Sequence, residues 1–362
     1  MIRVVIADDS AFTRRVLRSY LDEVPDIQVV AEAGDPEAAV RAVGETRPDV
    51  VTLDLRMKGG DGLETLRRIL AVAPVSALVI SGVTAHTSAA ATLRALELGA
   101  FDVILKYTPG VATNPETLRR EVVAKVRAAA AARVARAASG ARLQAAPAAR
   151  TRVDRPRLSS AVPPGEAPVP AWCLGYRRTG VVVIGASTGG PSAVEELLAQ
   201  LPADFSRPIV LVQHMPASLM PEFASVLDSR VALSVVQAAP GDCLQAGRVL
   251  VAPGAFHLVV KPANRVDLRP AAPDDPYNPW IDVTMTSGAA VYGREITGVV
   301  LTGMGDDGAS GLAAIRAGGG YGCVQDSASC TIDGMPLRAF ERGGADLVAD
   351  PAEIGRALAN RN

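Results

Sequence analysis

The sequence predicts an α/β protein of two doubly wound domains with mainly parallel sheets, joined by a flexible linker. Two observations carry this prediction. Short β-rich apolar runs alternate with amphipathic helical stretches in both halves of the chain. Parallel neighbours need helix-length crossovers, so that alternation implies sheets wrapped by helices. Between the halves the composition changes abruptly, and 362 residues leave room for two ordinary domains plus a connector.

In the first half, Val4–Ala7, Val50–Leu53, Leu78–Ile80 and Val103–Leu105 read as strands, with Ala11–Leu21 and Leu63–Leu70 as helices between them. From Arg127 to Arg157 the chain is mostly Ala and Arg, with eight arginines against the single acid Asp154. The run LSSAVPPGEAPVPA follows and reads as extended linker; the Ala-rich part before it is able to continue a helix. The arginines suit a solvated connector, or docking to an acidic partner or to the other domain. The second half has strand-like runs VVVIG, IVLVQ, RVLVAP, HLVV and ITGVVLTG. The expected boundaries are 1–125, 126–178 and 179–362.

Bulk properties exclude several classes. Basic and acidic residues nearly cancel, 37 against 38, so no chain-wide nucleic-acid or membrane surface is expected. The start, MIRVVIADDS, lacks the cationic and long apolar regions of a signal peptide. No run approaches the roughly 20 apolar residues of a membrane span. Cys173, Cys243, Cys323 and Cys330 are scattered without a CxxC pair, so neither a zinc site nor a disulfide framework is expected. The expectation is a soluble, cytoplasmic protein.

In doubly wound sheets, functional groups gather at the carboxyl ends of strands. In the first domain those ends carry Asp8 and Asp9, then Asp54, Ser81 and Lys106. Three converging carboxylates need a cation, and Mg²⁺ with oxygen ligands suits them. Asp54 is placed to attack a phosphoryl donor, Lys106 to offset the charge of the transferred group, and Ser81 to bond a phosphoryl oxygen. The segments ADDS, LDLRM, DGLE, SG and LELGAFDVILK resemble the response-regulator receiver family over essentially all of residues 1–125. The resemblance implies a flavodoxin-like fold and phosphorylation of Asp54 by a partner histidine kinase. It also implies Mg²⁺ held by Asp8, Asp9, Asp54 and the Arg56 carbonyl. Three residues depart from the family. Tyr107 stands where Pro usually follows the lysine, and a cis bond before it would cost about 3–4 kcal/mol, so a trans bond and a shifted loop are expected. Lys58 stands where Pro is common, and Val103 where an aromatic often reports phosphorylation.

VVVIGASTGGP is a β-rich run entering a Gly-rich turn, followed by the amphipathic helix PSAVEELLAQL. Gly185 to Gly189 fits the G-x-S-x-G turn that exposes a nucleophile, here Ser187. The helix start beside it, including the Thr188 N–H, offers donors for an oxyanion. A dinucleotide-binding loop would share this outline, but would place an acid at the end of the next strand; IVLVQHMP ends in His214 instead. The run ITGVVLTGMGDDGASG then brings Asp306 and Asp307 to a third strand end, where one of them is placed to orient the imidazole. His257 and His86 have no such setting.

GASTGGP, QHMP, the VAPG segment, LTGMGDDG and DSASCTIDGMP resemble the catalytic domain of the chemotaxis protein-glutamate methylesterases, the CheB family, over about 179–355. The resemblance implies a Rossmann-like domain with Asp307 as the catalytic acid and the Met304 N–H as an oxyanion donor. It further implies hydrolysis of glutamyl methyl esters on methyl-accepting chemoreceptors, glutamine deamidation, a CheA-type kinase as phosphodonor, and no cofactor for the ester reaction. One segment departs. Where the family has an HRPSVD-type run, this chain has Asn278-Pro279-Trp280-Ile281-Asp282, which loses basic and hydroxyl groups and gains an exposed-looking Trp. The rival reading is a phosphorylation-dependent binding module with a silent hydrolase domain; a silent domain would have no physical need to retain Ser187, His214 and Asp307 together. Tethering by about 50 linker residues gives the first domain a high effective concentration at the second, so the unphosphorylated receiver is expected to cover the crevice.

Overall fold

The computed structural model describes residues 1–82, 86–106, 115–139, 180–272 and 274–361, and the chain divides into two compact units, Met1–Pro147 and Ala148–Asn362. In the first unit the elements run β1 (Ile2–Ala7), α1 (Ala11–Asp22), β2 (Ile27–Ala33), α2 (Pro36–Thr46), β3 (Val50–Leu53), α3 (Gly62–Val72), β4 (Ser76–Ser81), α4 (His86–Glu97), β5 (Asp102–Leu105) and α5 (Pro115–Ser139). The five strands form one parallel sheet in the order β2-β1-β3-β4-β5. Strands β3 and β4 are buried along their whole length, which is why they read as unbroken apolar runs. Asp and Ser side chains start the helices: Ser10 accepts from Thr13 N, Asp35 from Ala38 N, and Asp61 of the DGLE segment from Leu63 N.

Helix α5 runs well into the Ala/Arg stretch. It buries Val122, Val126, Ala129, Ala130 and Ala132, and Ser76 Oγ donates to the Ala129 carbonyl at 2.9 Å. Within that stretch, Arg127 makes two bonds to the Asp26 carboxylate and Arg133 pairs with Asp49, both acids of the same unit. This part of the stretch is therefore neither a loose connector nor a free docking surface. The Pro-rich run, Tyr107 and its loop lie outside the described residues.

The second unit runs β6 (Val181–Ala186), α6 (Gly190–Leu198), β7 (Ile209–Gln213), α7 (Met220–Arg230), β8 (Ser234–Gln237), β9 (Arg248–Val251), β10 (Phe256–Lys261) and β11 (Arg265–Pro270). It continues with α8 (Ile281–Tyr292), β12 (Ile296–Val300), α9 (Ala309–Ala317), β13 (Tyr321–Gln325), α10 (Gly334–Glu341), β14 (Leu347–Ala349) and α11 (Pro351–Asn360). Seven parallel strands lie in the order β14-β13-β12-β6-β7-β9-β8, while β10 and β11 form a separate antiparallel hairpin. The chain leaves β6 toward β7 and later returns to its other side as β12, so the order reverses between β6 and β12. Ligand crevices form outside such reversal points.

Cys243 is buried and disulfide-bonded, whereas Cys323 and Cys330 are free. One bridge is thus present where none was expected from the spacing. Among the described residues no helix is long and apolar enough to cross a membrane.

Candidate functional sites

The first site lies where the β1 and β3 ends meet. Asp8, Asp9 and Asp54 each offer a carboxylate oxygen, all within 4.8 Å of one another. Lys106, just past β5, reaches over from the far side: Nζ is 2.5 Å from Asp54 Oδ2 and 2.8 Å from Asp8 Oδ2, the latter a charge contact without hydrogen-bond geometry. Backbone donors hold three more of the carboxylate oxygens. Ser10 N–H donates to Asp8 Oδ1 at 2.9 Å, Arg56 N–H to Asp54 Oδ1 at 3.0 Å, and Lys58 N–H to Asp9 Oδ2 at 3.3 Å. Three acids against one ammonium leave the cluster anionic. Burial pushes the Asp8 carboxyl above its ordinary range, against the opposing pull of Lys106. A buried oxygen cluster with surplus negative charge fits a hard divalent cation. Ser81 ends β4, buried, and its carbonyl accepts the Lys106 N–H at 2.8 Å, so all five expected residues share this end of the sheet. Val103 is buried in β5.

The second site lies at the ends of β12, β6 and β7, which are adjacent in the sheet. Ser187 follows β6 and is half-buried. The turn after it depends on Gly189, whose φ of +80° starts α6 and whose space for a Cβ is taken by Thr331 Oγ1 at 2.3 Å. Gly303, past β12, lets that loop press directly on the serine: a Cβ there would sit 2.6 Å from Ser187 Cβ. His214 follows β7, and its N–H donates to the Ala186 carbonyl at 2.9 Å. Gln213 clamps the two loops together, its Nε2 donating to the Ser187 carbonyl at 2.8 Å and the His214 carbonyl at 3.0 Å.

Asp307 is buried and receives four N–H groups. His214 Nε2 lies 2.7 Å from Oδ2, and Ile281 N–H donates to the same oxygen at 2.8 Å; Asp282 N–H and Gly308 N–H donate to Oδ1, each at 2.9 Å. A carboxylate accepts, so the His214 proton sits on Nε2 and the lone pair on Nδ1. Two of those donors are the first N–H groups of α8, whose N-cap Trp280 has no side-chain cap. Asp307 caps that helix from another segment. The favour is returned: Asp282 Oδ1 accepts from Gly311 N–H of α9 at 2.6 Å, and burial raises the Asp282 carboxyl. Two helices are therefore capped by each other's acids.

Asp306, its neighbour, faces away and binds Tyr277 and Arg342. Tyr277 stacks on His214, ring centroids 5.2 Å apart. Neither Gln213 nor Tyr277 was singled out by its residue type; Gln213 was signalled only by standing beside His214. Trp280, read as exposed, is half-buried with its ring edge-on to His257, which is itself fully buried and bonded to Asp275 at 2.6 Å. The histidine hydrogen bond holds Asp275 below the ordinary carboxylate range. His257 is thus held in the interior by an acid of its own, Asp275. Burial pushes the Cys330 thiol up to about 12, leaving it unreactive beside the site.

An acidic receiver-type pocket and a serine–histidine–aspartate crevice on one chain define a response regulator with a hydrolase output unit. The response regulator receiver domain family matches residues 4–112, and the CheB methylesterase family matches residues 182–358. A protein-glutamate methylesterase/protein-glutamine glutaminase of Symbiobacterium thermophilum is 39% identical, covering 99% of this chain and 96% of its own. A similarly described enzyme of Geobacter sulfurreducens is 38% identical, covering 99% of this chain and 97% of its own. The Thermotoga maritima CheB methylesterase catalytic domain is 36% identical over 50% of this chain and 97% of its own, with a TM-score of 0.48. The chain belongs to the CheB family of receiver-linked methylesterases.

Proposed function

We propose that this chain is a phosphorylation-regulated serine hydrolase that demethylates glutamate γ-methyl esters on chemoreceptors and deamidates receptor glutamines. The observation that carries the reading is the Asp307–His214 contact at 2.7 Å beside a strand-end serine. His214 Nδ1 takes the Ser187 proton as Oγ attacks the ester carbonyl carbon. The carbonyl oxygen becomes an oxyanion facing the Thr188 and Met304 N–H groups. Protonated His214 returns the proton to the departing methoxide, the ester C–O bond breaks and methanol leaves. Water, deprotonated by the same nitrogen, releases the glutamate carboxylate and Ser187. A glutamine substrate follows the same steps and loses ammonia.

Asp54 is the proposed phosphorylation site. Asp8, Asp9, Asp54 and the Arg56 carbonyl would hold Mg²⁺, which when bound neutralises charge at the phosphoryl group. Lys106 holds the phosphoryl oxygens and Ser81 bonds one of them. A CheA-type histidine kinase in the cytoplasm is the proposed phosphodonor. The working division remains receiver, linker and hydrolase, and a cut after residue 139 rather than 125 keeps α5 whole. Inhibition by the unphosphorylated receiver predicts that removing residues 1–139 raises basal esterase activity.

The deciding experiment is methanol release from methylated receptor fragments, with and without a small phosphodonor and Mg²⁺. Release should rise with phosphodonor, disappear in Ser187→Ala and stop responding in Asp54→Ala. Absence of release under every condition would overturn the proposal.

A further inference from the structure

Tyr277 lies outside every motif that marked the crevice. Its ring nevertheless lies on the His214 imidazole, with centroids 5.2 Å apart and planes within 9° of parallel. That is an offset-stacked pair. The phenol is anchored at its other end. Its hydroxyl donates to Asp306 Oδ1 at 2.9 Å, and the Asp306 N–H donates back to the hydroxyl oxygen at 3.3 Å. The hydroxyl also rests on Gly305, where a Cβ would come within 2.7 Å of it and where φ is +94°. Arg342 holds the far side of Asp306 at 2.9 Å.

From these contacts we infer that Tyr277 is a positioning residue for the esterase reaction: it fixes the plane of His214 and locks the 304–306 turn that leads into Asp307. The inference rests on His214 being the general base. A ring lying flat on the imidazole and tethered at its hydroxyl leaves His214 little freedom to swing away from Ser187 while Asp307 holds only one edge. The aromatic face also favours the imidazolium that forms in every turnover. Burial, with the charges of Asp306 and Asp307, raises the phenol above its ordinary value, so the ring stays neutral. The Arg342–Asp306 pair is half-exposed and adds little by itself. Asp306 thus has a task of its own, distinct from that of the acid next to it.

The test uses the full-length protein with phosphodonor and Mg²⁺, comparing wild type, Tyr277→Phe, Tyr277→Leu and Asp306→Ala. Two readouts are taken: kcat and KM for methanol release, and the rate at which a fluorophosphonate labels Ser187. Tyr277→Leu should lower kcat and the labelling rate by about 10- to 100-fold with KM within about twofold. Tyr277→Phe should lose only a few-fold in rate. Asp306→Ala, at a half-exposed position, should lose about 3- to 10-fold in labelling rate, and it decides the matter if Tyr277→Leu folds poorly. Wild-type rates in Tyr277→Leu, or an unchanged labelling rate in Asp306→Ala, would overturn the inference. If wild type labels but releases no methanol, the ester reading fails alone, and the labelling rates still decide the role of Tyr277.

Discussion

Asp8 and Asp307 are equally buried, each 1% exposed, yet they are provisioned in opposite ways. Asp307 is surrounded by N–H groups that were aimed at it when the sheet and helices packed. Asp8 faces two other carboxylates and shares a single lysine with Asp54. A buried carboxylate is tolerable only when hydrogen-bonded or paired. The hydrolase crevice is therefore complete on folding, and the receiver pocket is left short of positive charge. A cation and a phosphoryl group would answer that shortfall in the receiver pocket, whereas the carboxylate of the crevice needs no further positive charge.

The contrast is most sharply tested at Asp307. Replacing it with Asn should lower methanol release by roughly 10³- to 10⁴-fold, because the imidazole loses its tautomer and its charge partner. Asp307→Ala should in addition destabilise the hydrolase unit by about 1–3 kcal/mol, read by denaturant titration, since the α8 N–H groups lose their acceptor. Next comes Gln213→Met, which keeps volume but removes both bonds between the Ser187 and His214 loops. A loss of about 10-fold in kcat, with little change in KM, is expected from the looser geometry. Activity equal to wild type would show that the sheet alone aligns the loops.

Asp8→Asn should act in the opposite direction to Asp307→Ala. Without metal, it should raise the receiver's thermal midpoint by about a few degrees, because a costly buried charge is removed. It should also abolish Mg²⁺ binding. The pH dependence follows from the raised Asp8 carboxyl. The folded state holds that proton more tightly than the unfolded one, so this group's contribution to metal-free stability is full below the ordinary carboxylate value and is lost as pH rises through the raised one. Asp8→Asn should remove that component in a calorimetric pH series. Mg²⁺ affinity of the wild type should fall over the same acidic range, since the ligand must be deprotonated.

Much of this was legible in the sequence because strand-end chemistry is local. Ser81 ends a buried strand, and Asp8, Asp9, Asp54, Lys106, Ser187, His214 and Asp307 come after one; a buried strand announces itself as an apolar run. Strands β2, β8, β11, β13 and β14 were less visible. They are short, half-exposed, or interrupted by Gly and charged residues, so no continuous apolar run marks them. Side-chain roles that depend on distant segments were hidden as well. Arg127 looks like linker charge until Asp26 is beside it, and Tyr277 is an ordinary loop aromatic until β7 delivers His214. Trp280 reads as exposed because nothing nearby in the chain reveals the buried His257 against its edge.

The mutual capping of α8 and α9 changes what can be read from a surviving residue. Asp307 would be retained in a relative that had lost Ser187 and all turnover, because the first two N–H groups of α8 would still require it. In a decaying lineage the acid should outlive the nucleophile. Of the three residues, Ser187 and His214 testify to activity in such a relative, and Asp307 testifies chiefly that the fold is intact.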